Sequence, residues 1–219
     1  MVDGPVVAVR GEATREVAPE VARFSVSVIA RDKDRTATLN RLAARSDAVR
    51  SLIDGYGAAI ERRESGSLSV RPELKRTGEK VVAYHGEVST VVTVTDFAVL
   101  GELMMRLGAQ EQTSVNGPWW ELRPGSPVYR EVRRAAIADA ISLARDYAEA
   151  LGARVVALLE VADSGLRGAQ PMYARAVSLS AESAGVPSID LDPQVQTAQA
   201  AIEARFVISA PSVLEEPVD

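Results

Sequence analysis

With 219 residues, of which 47% are hydrophobic and 25% charged, the chain can bury a sizeable core and lacks the composition of a disordered protein. The formal net charge of −5 argues against a nucleic-acid-binding protein, because phosphate recognition normally needs an excess of lysine and arginine. Cysteine is absent, which excludes disulfides, thiolate catalysis and thiolate metal sites. We therefore expect a globular protein without a cofactor.

The N-terminal part of the chain begins with two segments that alternate apolar and polar residues. Residues 6–17 and 20–30 have this period of two, which predicts two half-buried strands. Pro19 interrupts the pattern between them, so we expect the strands to form a hairpin. Residues 35–54 then change to helical spacing, with Asp34 or Thr36 as the candidate N-cap.

The middle of the chain returns to alternation and then to a short helix. Residues 59–72 and 80–95 predict a second hairpin. Asp96 can cap a helix over 97–107, and a strand follows near 112–123.

Two tryptophans occupy neighbouring positions of that last strand. Because successive strand residues point to opposite faces, Trp119 and Trp120 cannot both lie on the same side. One of them can fill the core while the other points outward, and exposed tryptophan is enriched at interaction hot spots. The alternative is that helices cover both faces.

A long helix is the strongest helical signal in the sequence. Ser126 is a suitable N-cap, proline follows at the first helical position, and the pattern runs to Leu151 before Gly152. Four alanines spaced four apart predict a smooth ridge that lies close against a sheet. The complete predicted buried stripe is Tyr129, Val132, Ala136, Ala140, Leu143, Ala144, Tyr147, Ala148 and Leu151.

The C-terminal part contains two strands separated by a long connection. Residues 154–162 are apolar and rich in β-formers, and residues 196–209 alternate. The intervening segment 164–192 is rich in glycine and proline and is too long for an ordinary turn, which predicts a functional loop or an inert insertion. The acidic residues 211–219 predict a disordered tail.

The predicted element order is ββ-α-ββ-α-β-α-β-loop-β. Hairpins dominate over strand–helix–strand crossovers, so we predict an α+β protein with an antiparallel-rich mixed sheet and three helices packed on it. Residues 1–210 are predicted to form one domain.

The sequence contains few reactive side chains. His85 is the only histidine, and a nucleophile elbow of the form G-x-S-x-G is missing. One imidazole without thiolates cannot supply the ligands of a nitrogen- or sulfur-rich metal site. These observations favour a protein that is not an enzyme.

The ordered motifs resemble those of the SIMPL-domain family, named for a signalling molecule that associates with a pelle-like kinase. The resemblance covers about residues 6–209. It rests on the strand residues Val9-Arg10-Gly11-Glu12-Ala13, the turn Val17-Ala18-Pro19-Glu20-Val21-Ala22, Tyr84, Val91 to Val94, Asp96, the helix residues Ala136, Asp139, Ala140, Ala144, Ala148, Leu151 and Gly152, and the final strand Ala204 to Ile208.

This resemblance implies a mixed fold with antiparallel strands, and it brings no established catalytic residue with it. Bacterial relatives include envelope proteins, one of them a surface immunogen that assembles into a large ring, and members linked to oxidative stress. The first residues of this chain do not resemble a leader peptide, so we expect a cytoplasmic protein. An envelope location would require that the chain is a trimmed form.

Two binding functions follow from the sequence, and a third hypothesis is an enzyme that uses carboxylates and arginines. The leading hypothesis is a self-associating or protein-binding module without nucleic-acid partners or a membrane span. The alternative is a small-ligand protein with a pocket between the sheet and the long helix, anchored by Tyr84, His85 and Tyr147. The candidate interface residues are Trp119, Trp120, Met172 and Tyr173.

Overall fold

The computed structural model describes residues 4–75, 78, 80–167 and 189–214. Within these residues the predicted element order and the α+β class are confirmed. The elements are β1 (Val6–Val17), β2 (Val21–Asp32), α1 (Arg35–Asp54), β3 (Ile60–Leu74), β4 (Val81–Val94), α2 (Leu100–Gly108), β5 (Thr113–Glu121), α3 (Pro127–Ala150), β6 (Val155–Arg167) and β7 (Gln196–Ile208).

The strands divide between two antiparallel sheets, with the orders β1-β7-β6 and β3-β4-β2-β5. The described residues accordingly form two compact units. The three-stranded unit comprises 4–18, 123–167 and 195–214, and the four-stranded unit comprises the remainder. Residues 1–210 contribute to both units. That this span forms a single domain stays a prediction.

The predicted hairpin between the first two strands is wrong. β1 pairs with β7 over its whole length, from Val6 opposite Val207 to Val17 opposite Gln196. β2 lies in the other sheet, between β4 and β5. Alternation shows that a strand is half-buried, but it carries no information about which strand pairs with it. The second predicted hairpin is confirmed, because β3 pairs with β4.

The four-stranded unit places α1 and α2 against its sheet. The side chain of Asp34 caps α1 by accepting a hydrogen bond from the Ala37 N–H at 2.7 Å. Alternate residues of β2 point into the core, as the period of two predicts. The buried cluster comprises Ala22, Phe24, Val26, Val28, Ala30, Leu42, Val49, Ile53, Val92, Val94, Leu100, Leu103, Leu107 and Trp120.

The three-stranded unit packs α3 on its sheet, and the predicted ends of this helix are confirmed to within a residue. The Ser126 hydroxyl accepts a hydrogen bond from the Val128 N–H at 3.3 Å, and Gly152 follows the helix with a φ of +65°. Tyr147 is exposed, so its place in the predicted buried stripe is wrong. The residues of α3 that are buried are Val132, Ala136, Ala140, Ala144 and Ala148.

Two predicted boundaries differ from the structure near the C-terminus. Strand β6 continues to Arg167, so its end falls inside the predicted loop 164–192, of which 168–188 lie outside the described residues. The predicted tail 211–219 begins with residues that contact the end of α3, since the Ser212 hydroxyl donates to the Gly152 carbonyl at 3.2 Å. Among the described residues, no helix is long and apolar enough to span a membrane.

Candidate interaction surface

The position of α3 on its sheet is fixed by a glycine in β1. A Cβ atom built on Gly11 would lie 2.6 Å from the backbone nitrogen and the Cβ of Ala140, and closer still to the Ala136 carbonyl oxygen. The helix backbone therefore rests directly on the strand. Small side chains on both surfaces allow this approach, which accounts for the buried alanine ridge.

Polar contacts hold one flank of α3 over β1. The Asp139 carboxylate accepts a hydrogen bond from the backbone N–H of Glu12 at 2.9 Å. Arg15 of β1 forms an ion pair with Glu131 of α3. Because β1 is an edge strand, the Asp139 contact also satisfies a backbone donor that would otherwise be available for pairing.

The opposite edge strand, β6, is left largely uncovered by α3. Adjacent strands lie about 4.8 Å apart and a helix is about 10 Å wide, so one helix covers about two strands. Here α3 packs on β1 and β7, with few contacts to β6. Among residues 155–164 of β6, whose side chains the structure describes, four apolar side chains are consequently exposed: Val156 by 57%, Leu158 by 55%, Leu159 by 43% and Val161 by 46%.

The pairing register shows on which face of the sheet these side chains lie. Leu158 is opposite Phe206 and Val161 is opposite Ala204, and both β7 partners are buried on the helix-covered face. Leu158 and Val161 therefore lie on the same face as α3. Leu159 falls at a shift of register and has no direct partner in β7.

The flank of α3 that points away from β1 is also apolar. Glu131 and Asp139 each precede a buried residue of the helix, whereas Ile137 and Ile141 each follow one. Successive helix residues are about 100° apart, so these two pairs lie on opposite flanks. Ile137 is 40% exposed and Ile141 is half-buried.

Helix and strand together form an apolar surface, which we name the α3–β6 step. Its raised side is the Ile137 and Ile141 flank of α3, and its lower side is formed by Leu158 and Val161 of β6. Exposed apolar side chains thus lie on two elements that are in contact, and exposed apolar patches are a feature of interaction sites. Sequence reasoning missed this surface.

The predicted interface residues are not part of the step. Trp120 is 8% exposed and packs edge-to-face on Phe97 with a ring separation of 4.9 Å, whereas Trp119 is 38% exposed. Of the two alternatives that the sequence leaves open, the structure shows the one in which one tryptophan fills the core while the other points outward. Both belong to β5, an edge strand of the four-stranded sheet. Met172 and Tyr173 lie outside the described residues.

The side chains proposed as ligand anchors belong to different sheets. Tyr84 and His85 belong to β4 of the four-stranded sheet, whereas Tyr147 is an exposed residue of α3 on the three-stranded sheet. They do not meet in the layer between α3 and its own sheet. The ligand-binding alternative stays a prediction, but these three residues do not support it.

Shifted pKa values occur at surface networks of the four-stranded unit. Burial raises the pKa of Tyr56, whose hydroxyl donates to Glu102 at 3.0 Å and accepts from Arg106 at 3.2 Å. The two hydrogen bonds from Arg31 to Glu73, of 2.7 and 3.1 Å, hold the pKa of that carboxyl below its ordinary value. Within the described part of the chain, histidine and acidic residues form no group of three or more suited to a metal ion.

Comparison with known proteins places this architecture in a family. The family model SIMPL, described as "Protein of unknown function (DUF541)", matches residues 7–206. The chain belongs to the SIMPL family. A search of curated proteins found no match.

Several residues that carry the SIMPL resemblance have a structural role in this chain. Gly11, Ala136 and Ala140 form the close contact between β1 and α3, and Asp139 adds the hydrogen bond to the neighbouring strand residue. In this chain these residues therefore determine how α3 sits on the sheet. The other flank of α3 and much of β6 stay exposed.

Proposed function

We propose that this SIMPL protein acts by self-association through the apolar surface of β6, and not by catalysis. The observation that carries the proposal is the exposure of four large apolar side chains within a short stretch of one edge strand, Val156, Leu158, Leu159 and Val161. The amino-acid composition supports a function without catalysis, because one histidine and no cysteine leave few groups for nucleophilic or acid–base catalysis.

The size of this surface sets the expected strength of association. The exposed fractions of the four side chains together amount to about two whole side chains. Burial of a valine or leucine side chain stabilises by about 1.5–3 kcal/mol, so two copies would gain about 6–12 kcal/mol. Association costs about 4–15 kcal/mol because the two copies lose translational and rotational freedom. The strand alone therefore supports weak association, and a stable dimer needs further contacts.

Sedimentation velocity of the purified protein over a range of concentrations tests the proposal. We expect reversible association of the wild type, and a shift toward monomer for Leu158→Glu because the variant places a charge in the apolar surface. Leu68→Glu is a matched control, since Leu68 is 68% exposed on β3, an edge strand of the other sheet. It should associate like the wild type.

A wild type that stays monomeric at all accessible concentrations would refute self-association. Equal association of the Leu158→Glu and wild-type proteins would show that β6 is not the surface involved. Trp119→Ala belongs in the same series, because Trp119 is the exposed residue of the predicted tryptophan pair. If this variant alone is monomeric, the interface lies on β5.

A further inference from the structure

The four-stranded sheet has one face on which α1 and α2 do not pack. Both helices lie on the face that carries the even-numbered residues of β2, from Ala22 to Ala30. The odd-numbered residues of β2, and the residues of β4 and β5 paired with them, lie on the other face, which we name the open face. Ser25, Ser27 and Ser89 at its centre are half-buried, so solvent reaches the middle of this face.

Buried polar atoms without a hydrogen-bond partner are concentrated on the open face. Among the described side chains there are three such atoms, Arg23 Nε, His85 Nδ1 and Thr93 Oγ1. Arg23 is paired with Thr93 between β2 and β4, and His85 is paired with Arg31 of β2, so all three side chains lie on this face. Buried polar groups in folded proteins are nearly always hydrogen-bonded. Their restriction to one face indicates that this face takes polar contacts from outside the chain.

The Arg23 guanidinium has unused hydrogen-bond donors. Within the described part of the chain it donates to Glu121 Oε2 at 3.5 Å, which is longer than an ordinary N–H···O bond. The neighbouring Thr93 is 4% exposed and leaves its hydroxyl unpaired. Because a guanidinium carries several N–H donors and the Arg23 side chain is partly exposed, it can turn towards a ligand oxygen.

Trp119 lies next to Arg23 on the open face. The two residues are paired between β5 and β2, and the indole is exposed. The bulge that precedes it is held against β2, because Gly117 has a φ of +125° and a Cβ there would lie 2.9 Å from the Cβ of Phe24. An aromatic side chain on a fixed backbone loses little freedom on binding, so Trp119 is a preorganised stacking surface.

The charges beside the exposed indole balance each other. Arg23 forms an ion pair with Glu121. Arg62 of β3, which is opposite Thr93, forms an ion pair with Glu64 at 3.1 Å. A phosphate or carboxylate ligand would meet as many carboxylates as guanidinium groups, so this surface does not favour an anion. Neighbouring donors and acceptors instead match hydroxyl groups, which donate and accept.

We propose that the open face around Trp119 binds a neutral, β-linked glycan. Sugars of the gluco type have a flat ring face of C–H groups, whose positive hydrogens pack on the negative face of an indole. Their hydroxyls then reach the donors of Arg23 and the carboxylate of Glu121. A β-linked chain of such rings is extended and matches an open sheet face better than a coiled α-linked chain. This site goes beyond the proposed self-association, since β6 belongs to the other sheet.

Isothermal titration calorimetry of the whole protein with cellohexaose and with chitohexaose tests the proposal. We expect the wild type to bind at least one of them with a dissociation constant of about 0.1–10 mM, because an open face leaves part of each sugar in water. Trp119→Ala should raise that constant at least about tenfold. Trp119→Phe should keep part of the affinity, because a phenyl ring still stacks. Tyr147→Ala is the matched control, since Tyr147 is an exposed aromatic residue of α3.

Three further measurements test the ligand class. Arg23→Gln should weaken hexasaccharide binding at least about threefold, because an amide offers fewer donors than a guanidinium. Inorganic phosphate should not displace the hexasaccharide, because the charges of the site balance. Maltohexaose, the α-linked counterpart of cellohexaose, should bind more weakly than the β-linked hexasaccharides.

The outcomes decide for or against a glycan site at Trp119. Absence of binding of both cellohexaose and chitohexaose would overturn the proposal, and so would equal binding by the wild type and Trp119→Ala. Displacement by phosphate would show an anion site instead. If Trp119→Ala fails to fold by circular dichroism, Ser25→Ile covers the open face beside Arg23 with a larger apolar side chain. Unchanged binding by that variant would equally refute the site.

Discussion

Replacement of Gly11 by alanine should strongly destabilise the three-stranded unit. The new methyl group would lie 2.6 Å from the Ala140 nitrogen and Cβ, whereas unstrained carbon contacts are about 3.5–4.0 Å. The obstructing atoms belong to the helix backbone and to a Cβ, so no side chain can rotate away. α3 would have to retreat by about 1 Å. The hydrogen bond from Glu12 to Asp139, now 2.9 Å, would then exceed bonding distance.

The expected cost follows from these two effects. Overpacking costs about 1–3 kcal/mol, and loss of the solvent-accessible hydrogen bond adds about 1 kcal/mol. For a chain of this size, about 2–4 kcal/mol lowers the melting temperature by about 4–16 °C. Thermal unfolding followed by circular dichroism measures this difference. Gly125→Ala is the control, because a Cβ there meets no atom within 4 Å.

A Gly11→Ala protein that melts within about 1 °C of the wild type would contradict this expected loss of stability. It would mean that α3 does not rest on β1, and the exposed flank of the helix could not be placed beside β6. The control should melt at or slightly above the wild-type temperature, because alanine restricts the unfolded chain.

Three further predictions concern other contacts. Ala140→Leu should cost about 1–3 kcal/mol in denaturant unfolding, because its larger side chain meets β1; no effect would mean that the alanine ridge faces solvent. Trp120→Ala should cost about 3–5 kcal/mol and Trp119→Ala far less, because only Trp120 is buried; equal losses would contradict the assignment. The lowered pKa of Glu73 means that its contact with Arg31 stabilises above the ordinary glutamate pKa and is lost on acidification. Urea unfolding at several pH values measures this effect. As the pH falls below the ordinary glutamate pKa, the wild type should therefore lose more stability than Glu73→Gln. Parallel pH profiles of the two proteins would contradict this.

Most elements of the fold could be predicted because each has a strong local signal. Ser126 caps α3 as predicted, Asp34 is the one of the two candidate caps that α1 uses, and α1 spans the predicted residues 35–54. The partner of each strand could not be predicted in the same way. The pattern of β1 shows only that one face is buried. Its pairing partner, β7, is almost two hundred residues away in the chain.

The candidate site was only partly predictable. Adjacent strand positions required Trp119 and Trp120 to separate, and the structure confirms this. The apolar run of β6 is present in the sequence, but such a run is typical of a buried strand. Its exposure depends on the lateral position of α3, which Gly11 and Asp139 determine through contacts with residues far away in the chain. No local pattern contains that information.

Hydrogen exchange of the wild-type protein as a function of concentration reports on self-association through β6 without any substitution. If two copies associate through β6, amides of residues 155–163 become more protected as the concentration rises, while those of β3 do not change. If the β6 amides exchange at the same rate at all concentrations, including those at which the protein associates, β6 stays uncovered in the associated state. That result would contradict association through β6.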